Sequence, residues 1–335
     1  MNRMALTCTF ALIGLLAGNG ASAGGTGFNP ATVRQFVDDM VTKHDLDAAE
    51  LTRLLGHARA QPKIIAAMRR PAEAKPWHQY RDLFLTPTRI QGGAAFWADA
   101  QPWLNKAEEI YGVPAEIIVG ILGVETQYGR HQGKYRVLDA LTTLAFNYPE
   151  RADFFRTQLE NFILLVREEH LDALTLAGSY AGAIGTPQFM PSSYRNFAVD
   201  FDGDGKKDLI GSSADVIGSV ANYFKSHQWR PGQAIIAGAT IRGDAYRVLL
   251  EQGLKPQTSL ANFPDYGVTL ADTQHPGMEL GALIELDAAQ GPEYWVGLQN
   301  FYVIICYNHS PLYAMAVYQL AQEVRAQHDV SVAHN

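Results

Sequence analysis

One glutamate lies where the sequence otherwise carries almost no charge. The eleven residues from Pro114 to Val124 contain a single charged residue, Glu116, and Glu125 follows them directly. We expect a helix over about residues 115–128, with Pro114 at its start. The helix face that carries Glu125 also carries four aliphatic residues, Ile117, Ile118, Ile121 and Leu122.

This setting suits acid catalysis. Apolar neighbours disfavour the charged form of a carboxyl group, so we expect the pKa of Glu125 to be raised and the group to be protonated near neutral pH. A protonated carboxyl group can act as a general acid, which cleavage of a glycosidic bond requires.

An ordinary structural role for Glu125 is the alternative. Glutamates at helix ends are usually solvated or paired with a basic residue, here Arg130 or Arg136. Gly120 and Gly123 lie inside the predicted helix, where each glycine costs roughly 1 kcal/mol relative to alanine. That cost indicates either close packing against another element or room for a ligand.

A second group of carboxylates, in the sequence DFDGDGKKD, has the spacing of a calcium loop. Loop positions 1, 3, 5 and 9 are Asp200, Asp202, Asp204 and Asp208. Gly205 at position 6 permits the sharp turn of an EF-hand, and Lys206 would contribute its backbone carbonyl. Position 12 should be glutamate but is Gly211. Four nearby aspartates repel one another without a cation, so the loop predicts a structural Ca²⁺ (or Na⁺) site; a solvated acidic turn is the alternative.

Length and composition narrow the class of protein. The 335 residues are 47% apolar and 18% charged, which is typical of a soluble globular protein with two or three subdomains. The formal net charge of −7 argues against nucleic acid as a partner.

The N-terminus has the pattern of a secretory signal peptide. Arg3 precedes the apolar run MALTCTFALIGLLAG, and Ala21-Ser22-Ala23 forms a cleavage site. The run is short for a membrane span, so a retained anchor is the less favoured interpretation. Cleavage after Ala23 removes Cys8 and leaves Cys306 alone, so we expect an exported protein without an internal disulfide.

Helical periodicity dominates most of the chain. Asn29-Pro30 and Asp47-x-x-Glu50 predict two helix starts, and residues 69–77 predict an extended connector. Helices are also predicted in GAAFWADAQPWLNKAEEIYG, in PERADFFRTQLENFILLVREEH and in the closing PLYAMAVYQLAQEVRAQ. Beyond Pro231 the short runs QAIIAGATI, GALIEL and EYWVGL predict strands of a small β-containing subdomain.

Five longer motifs carry a family resemblance. They are, in order, GVETQYGR, LDALTTLAFNYPERADFF, GSYAGAIGTPQFMPSSY, VIGSVANYF and YNHSPLYAMAV. Together they resemble the lytic murein transglycosylase B family, glycoside hydrolase family 103. The resemblance runs from about Trp77 to Gln322 and is weakest across the β-containing stretch.

The resemblance implies a mainly α fold: a lysozyme-like helical core, an N-terminal helical subdomain and a small β-containing subdomain. The expected parts are a signal peptide (1–23), the N-terminal helical subdomain (24–75), the catalytic core (76–230) with its EF-hand-like loop (200–215), the β-containing subdomain (231–299) and a C-terminal segment and helix returning to the core (300–335).

The resemblance also implies cleavage of the MurNAc–GlcNAc β-1,4 bond of peptidoglycan, with Glu125 as the single acid/base and no catalytic cofactor. Glu125 would protonate the glycosidic oxygen and then take the proton of the C6 hydroxyl of MurNAc, leaving a 1,6-anhydro end. The expected partners are glycan strands alone, bound by a periplasmic monomer with at most loose attachment to the envelope. The alternatives are a muramidase that uses water instead, and a non-catalytic peptidoglycan-binding protein.

Other site residues come from the resemblance alone. The expected cleft residues are Tyr80, Ser179, Tyr180, Gln188, Phe189, Tyr223, Tyr307, Asn308 and Tyr313. Aromatic faces stack on sugar rings, while amides and hydroxyls bond their polar groups; for any single tyrosine, a core position is the alternative. Asp215 would close a lengthened metal loop. Cys306 departs from the pattern, because the family often has a basic residue there.

Overall fold

Helices make up most of the chain. The computed structural model describes residues 27–69, 75–271 and 279–333, so the predicted signal peptide lies outside the described residues. The helices are α1 (Pro30–His44), α2 (Ala48–Gly56), α3 (Pro62–Met68), α4 (Trp77–Arg81), α5 (Pro87–Tyr111), α6 (Ala115–Thr126), α7 (Val137–Asn147), α8 (Ala152–Glu168), α9 (Pro191–Phe197), α10 (Ser213–Ser226), α11 (Arg247–Glu251), α12 (Gln299–Tyr307) and α13 (Pro311–Ala333). Short 3₁₀ helices cover Pro149–Arg151 and Leu260–Tyr266.

The strands form two sheets. They are β1 (Tyr135–Arg136), β2 (Ala177–Gly178), β3 (Ile236–Ile241), β4 (Thr258–Ser259), β5 (Val268–Leu270), β6 (Leu280–Ala288) and β7 (Gly291–Gly297). β1 and β2 pair with each other, whereas the others form an antiparallel sheet in the order β4-β6-β7-β3-β5. The predicted mainly α fold with a small sheet subdomain is confirmed.

The two predicted N-terminal caps are present. The Asn29 side chain accepts the Ala31 N–H at 2.9 Å, and Asp47 accepts the Glu50 N–H at 2.7 Å. The capping box is only half formed, because the Glu50 carboxylate pairs with Arg167 of α8 at 3.2 Å. Part of the predicted connector, residues 70–74, lies outside the described residues, and Trp77 already begins α4.

The N-terminal helices share the main hydrophobic core. Phe28 and Phe36 place their rings 5.9 and 5.8 Å from Phe146 of α7, in edge-on contacts. The same cluster of buried side chains continues to Val324 on α13. The boundary between an N-terminal subdomain and a catalytic core therefore stays a prediction.

The large sheet packs against this core with one face only. Ile284, Leu286 and Trp295 of the β6–β7 hairpin contact the main core. Leu283 and Val296 point to the other face, where they join a second, smaller cluster. Alternate residues of each strand thus face different clusters, as the two-residue period of a strand requires.

α6 is the central helix of the main core. Every residue from Ala115 to Val124 is buried, which explains an apolar stretch without a polar face. Glu116, the single charged residue between Ala115 and Val124, pairs with Arg325 of α13 at 2.6 Å. Gly120 lies so close to α13 that an added Cβ would be 2.8 Å from the carbonyl oxygen of Val317. A glycine at position 120 therefore allows α6 and α13 to pack closely.

Within the described ranges, none of the helices has the length and apolar character needed to cross a bilayer.

We expect Gly120→Ala to lower the free energy of unfolding by about 1–2 kcal/mol. Overpacking against the Val317 carbonyl, which costs about 1–3 kcal/mol, outweighs the gain of up to about 1 kcal/mol in helix propensity. Urea denaturation followed by circular dichroism measures the change.

Gly56→Ala is the matched control, because Gly56 is also helical and an added Cβ there meets nothing within 4 Å. We expect this variant to be as stable as the wild type or slightly more stable. A Gly120→Ala variant that unfolds at the same urea concentration as Gly56→Ala would contradict close packing of α6 against α13.

Candidate active site

Glu125 lies at the end of α6 and is partly exposed, unlike the ten residues before it. Its Oε1 accepts a hydrogen bond of 2.5 Å from the hydroxyl of Tyr313, a buried residue of α13. Burial raises the pKa of Tyr313 well above its ordinary value, and the charge of Glu125 raises it further. The phenol therefore stays protonated and acts as a donor to the carboxylate.

Two more of the expected cleft tyrosines surround this pair. Tyr307 stacks on Tyr313 with 6.4 Å between ring centroids, and its hydroxyl donates to the carbonyl of Pro187 at 2.6 Å. Burial, and then the charge of Glu125, raise the pKa of Tyr307 well above its ordinary value. Tyr80 of α4 is buried as well, and its electrostatic interaction with Tyr313 is a further, smaller cause of the raised pKa of Tyr313. Glu125 thus lies among neutral phenols.

Phe189 and Tyr223 join Tyr307 and Tyr313 in one aromatic cluster, in which they contact Tyr307. Their rings lie 5.9 and 4.9 Å from the ring of Tyr307. The Tyr223 hydroxyl donates to the carbonyl of Cys306 at 2.7 Å, and burial raises the pKa of Tyr223. Both residues are buried, so their ring faces are largely covered by protein. In this structure they pack against Tyr307 and do not offer open stacking surfaces.

The remaining expected cleft residues are more accessible. Ser179, Tyr180 and Gln188 line a cavity of about 440 Å³, and Tyr180 is 40% exposed. The Ser179 hydroxyl oxygen accepts the N–H groups of Ala181 and Ala183, which leaves its proton available to a ligand.

Gln188 and Asn308 complete the set of expected cleft residues. The Gln188 amide nitrogen donates to the carbonyls of Gln132 and Gly185, which leaves the amide oxygen as its acceptor for a ligand. Asn308 is exposed at the end of α12. The 187–189 segment links the cavity to the aromatic cluster, because Pro187 bonds Tyr307 and Phe189 packs against it.

α6 ends two residues earlier than predicted. Gln127, Tyr128 and Gly129 all have left-handed backbone angles, with φ of 51°, 61° and 85°, which no helix can continue. Thr126 holds this turn: its hydroxyl accepts the Gly129 N–H at 2.9 Å and donates to the Thr186 carbonyl at 2.8 Å. The sequence did not predict this role of Thr126. Gly129 was the available signal for an early helix end, because glycine readily adopts left-handed backbone angles.

The metal loop gathers some of its expected ligands. Carboxylate oxygens of Asp200, Asp202 and Asp204 lie within 4.8 Å of one another, and all three residues are exposed. Gly205, at the predicted turn position, has a φ of 90°. Such a group of hard oxygen donors fits a calcium ion.

The other expected metal ligands bond the loop's own backbone. Asp208 accepts the N–H groups of Ile210 and Gly211 at 2.9 Å each. Asp215 is buried and accepts the N–H groups of Phe201 and Asp208 at 2.7 and 2.8 Å. Lys206 donates its N–H to Asp204 at 2.8 Å. These bonds fix the loop to the start of α10.

Comparison with known proteins gives matches over most of the chain. The family model described as "Transglycosylase SLT domain" matches residues 29–322. The membrane-bound lytic murein transglycosylase B of Escherichia coli (strain K12) is 45% identical over 315 residues, which cover 90% of this chain and 84% of that protein.

Solved structures are similar too. The lytic transglycosylase Slt35 of Escherichia coli in complex with calcium is 44% identical with a TM-score of 0.79, covering 90% of this chain and 94% of that chain. SltB3 of Pseudomonas aeruginosa in complex with NAG-anhNAM-pentapeptide is 30% identical with a TM-score of 0.75, covering 90% of this chain and 80% of that chain.

Proposed function

This chain belongs to the transglycosylase SLT domain family, as its sequence motifs predicted, and we propose that Glu125 is the acid/base with which it cleaves peptidoglycan. The chain is a lytic transglycosylase of the MurNAc–GlcNAc β-1,4 bond. The hydrogen bond between Glu125 and Tyr313, at the end of a buried helix, carries the assignment of the catalytic residue.

The reaction uses one carboxyl group twice. Protonated Glu125 donates its proton to the glycosidic oxygen, the C1–O4 bond breaks, and the GlcNAc side leaves with a free hydroxyl. The N-acetyl group of the substrate stabilises the positive charge at C1. The Glu125 carboxylate then takes the proton of the MurNAc C6 hydroxyl while O6 attacks C1. The product is a 1,6-anhydro end, and Glu125 is again protonated.

Tyr313 supports the middle of this cycle. Its neutral hydroxyl donates to Oε1 and so stabilises the carboxylate that forms when Glu125 gives up its proton. The bond also fixes the orientation of a side chain at a helix end. A relative's complex with an anhydro-sugar pentapeptide agrees with a 1,6-anhydro product.

We propose that the remaining expected cleft residues act in two groups. The polar groups of Ser179 and Gln188, with the Tyr180 ring, bind sugar in the open cavity. The buried tyrosines and Phe189 hold Glu125 and the cavity wall in place. The exposed Asn308 side chain reaches substrate at the end of α12.

We also propose that the 200–215 loop binds Ca²⁺. Asp200, Asp202 and Asp204 supply carboxylates, and Lys206 supplies a carbonyl. Asp208 and Asp215 join through lone pairs that their backbone bonds leave free, because a carboxylate has about four acceptor positions. The ion would be structural, holding the loop to α10. The calcium complex of the Escherichia coli relative supports this assignment.

Export to the periplasm is proposed from the N-terminal signal pattern. The Escherichia coli relative carries "membrane-bound" in its name, which agrees with a place at the cell envelope. N-terminal sequencing of the exported protein tests the proposal, with Gly24 expected as the first residue and Met1 as the contrary result.

Glu125→Gln is expected to reduce cleavage at least about 100-fold, because a general acid contributes 10²–10⁴-fold and glutamine has no proton to give. Mass spectrometry of digested sacculi measures the 1,6-anhydro products. Binding to sacculi, measured by co-sedimentation, should persist.

Glu116→Gln is the matched control, since it makes the same change earlier in α6. We expect this variant to keep its activity, because an amide oxygen can still accept the hydrogen bond from Arg325. Full activity in Glu125→Gln would overturn the acid/base assignment. Reducing ends from the wild type would instead identify a muramidase.

Tyr313→Phe should move the alkaline limb of the pH–activity profile upwards by about one to two units. Activity falls as pH rises through the pKa of Glu125, since the acid must be protonated. A hydrogen bond to a charged group contributes about 1.5–3 kcal/mol, and one pKa unit corresponds to about 1.36 kcal/mol. Removing the Tyr313 hydroxyl therefore raises the pKa of Glu125 by about one to two units. Tyr307→Phe is the control, because its hydroxyl bonds Pro187 instead. An unmoved limb in Tyr313→Phe would contradict the role of this bond.

Calcium should raise the melting temperature of the protein by several degrees. At 100 times its dissociation constant a bound ion adds about 2.7 kcal/mol to the stability of the folded state. Thermal unfolding with added Ca²⁺ or with a chelator measures this difference. The Asp200→Asn/Asp204→Asn variant should lose the response, and a melting temperature indifferent to both additions would contradict the site.

A further inference from the structure

Three basic residues line the same cavity as Ser179 and Gln188. Arg130, His131 and Lys134 are exposed, and they follow Glu125 within nine positions. The residues that line this cavity include no aspartate or glutamate. It is therefore a locally cationic site in a protein whose net charge is −7.

In the part of the chain that the structure describes, the two fully charged residues have no anionic partner. Within the described ranges, neither the Arg130 guanidinium nor the Lys134 ammonium forms an ion pair or a side-chain hydrogen bond. The next basic residue, Arg136, differs, because it pairs with Asp139 at 2.5 Å. Two cations of this segment are thus left for a ligand.

The backbone that carries these cations is held rigidly. The His131 N–H donates to the Thr126 carbonyl at 2.9 Å. Gln132 donates to the Thr186 hydroxyl and to the Ile210 carbonyl at 3.1 Å each. At Gly133, φ is 100° and an added Cβ would lie 2.0 Å from the Gly178 carbonyl oxygen. Because the backbone is fixed at both sides, only the two side chains need to be ordered when a ligand binds.

The sugar chain of peptidoglycan has no anionic group that Arg130 and Lys134 could bind. Its N-acetyl and hydroxyl groups are neutral, and the MurNAc lactyl group is neutral where it is joined to a peptide by an amide bond. The carboxylates of the substrate then lie on the peptide branch. A planar guanidinium binds a carboxylate through two parallel N–H bonds, and an ammonium binds it as a point charge.

We propose that Arg130 and Lys134 bind carboxylates of the peptide branch and make the enzyme prefer glycan strands that carry anionic peptides. This inference rests on the proposed function and adds a specificity determinant to it. Glu125 cleaves the sugar bond, while Arg130 and Lys134, which follow α6, select MurNAc units by the charge of their peptide branch.

The test compares two substrates that differ only in charge. Soluble peptide-bearing glycan strands are first acetylated at their free amines, and half are then amidated at their carboxylates with carbodiimide and ammonia. We expect wild-type kcat/KM to be about fivefold to tenfold lower on the amidated strands, the size expected for one or two solvent-exposed ion pairs. Raising the salt concentration should reduce this preference, since exposed charges are screened.

The Arg130→Gln/Lys134→Gln variant should cleave both substrates equally, at the rate of the wild type on amidated strands. Arg53→Gln/Lys63→Gln is the matched control: it removes two exposed charges from α2 and α3 and should keep the wild-type preference. Equal cleavage of both substrates by the wild type would overturn the inference, as would a preference kept by the Arg130/Lys134 variant. Failure of the wild type to cleave either substrate would contradict the proposed function itself.

Discussion

The proposed active site depends on one contact between two helices that are far apart in sequence. Glu125 and Tyr313 are separated by 188 positions, yet their side chains share a 2.5 Å hydrogen bond. The contact requires α6 and α13 to lie close together, which Gly120 permits by leaving room for the Val317 carbonyl. The Glu116–Arg325 pair joins the same two helices near the other end of α6.

Two opposing influences meet at Glu125. The buried apolar helix that ends at Glu125 disfavours a charged group, whereas the Tyr313 hydroxyl, which donates to Oε1, favours the carboxylate. An acid/base needs both, because the group must hold a proton before the bond breaks and release it as the bond breaks. The left-handed turn after Thr126 then leads the chain directly into the polar cavity, so one short segment positions both the proposed acid and the cavity.

Local patterns in the sequence were enough for much of this arrangement. The caps at Asn29 and Asp47, the three main strands and the position of Glu125 at the end of α6 depend on neighbours within a few residues, so periodicity and side-chain chemistry could predict them. The early end of α6 depends instead on a tertiary bond, from Thr126 to Thr186. The backbone bonds of Asp215 and the burial of the cleft aromatic residues are tertiary as well.

The protonation state of Glu125 decides whether the end of α6 carries a general acid. A ¹³C NMR titration of its carboxyl carbon in the intact protein reports that state without relying on catalysis. We expect a titration midpoint well above about 4.3, the ordinary value for glutamate, so that a substantial fraction of Glu125 is protonated near neutral pH. A midpoint at or below that value would mean that Glu125 is ionised near neutral pH and cannot act as the general acid.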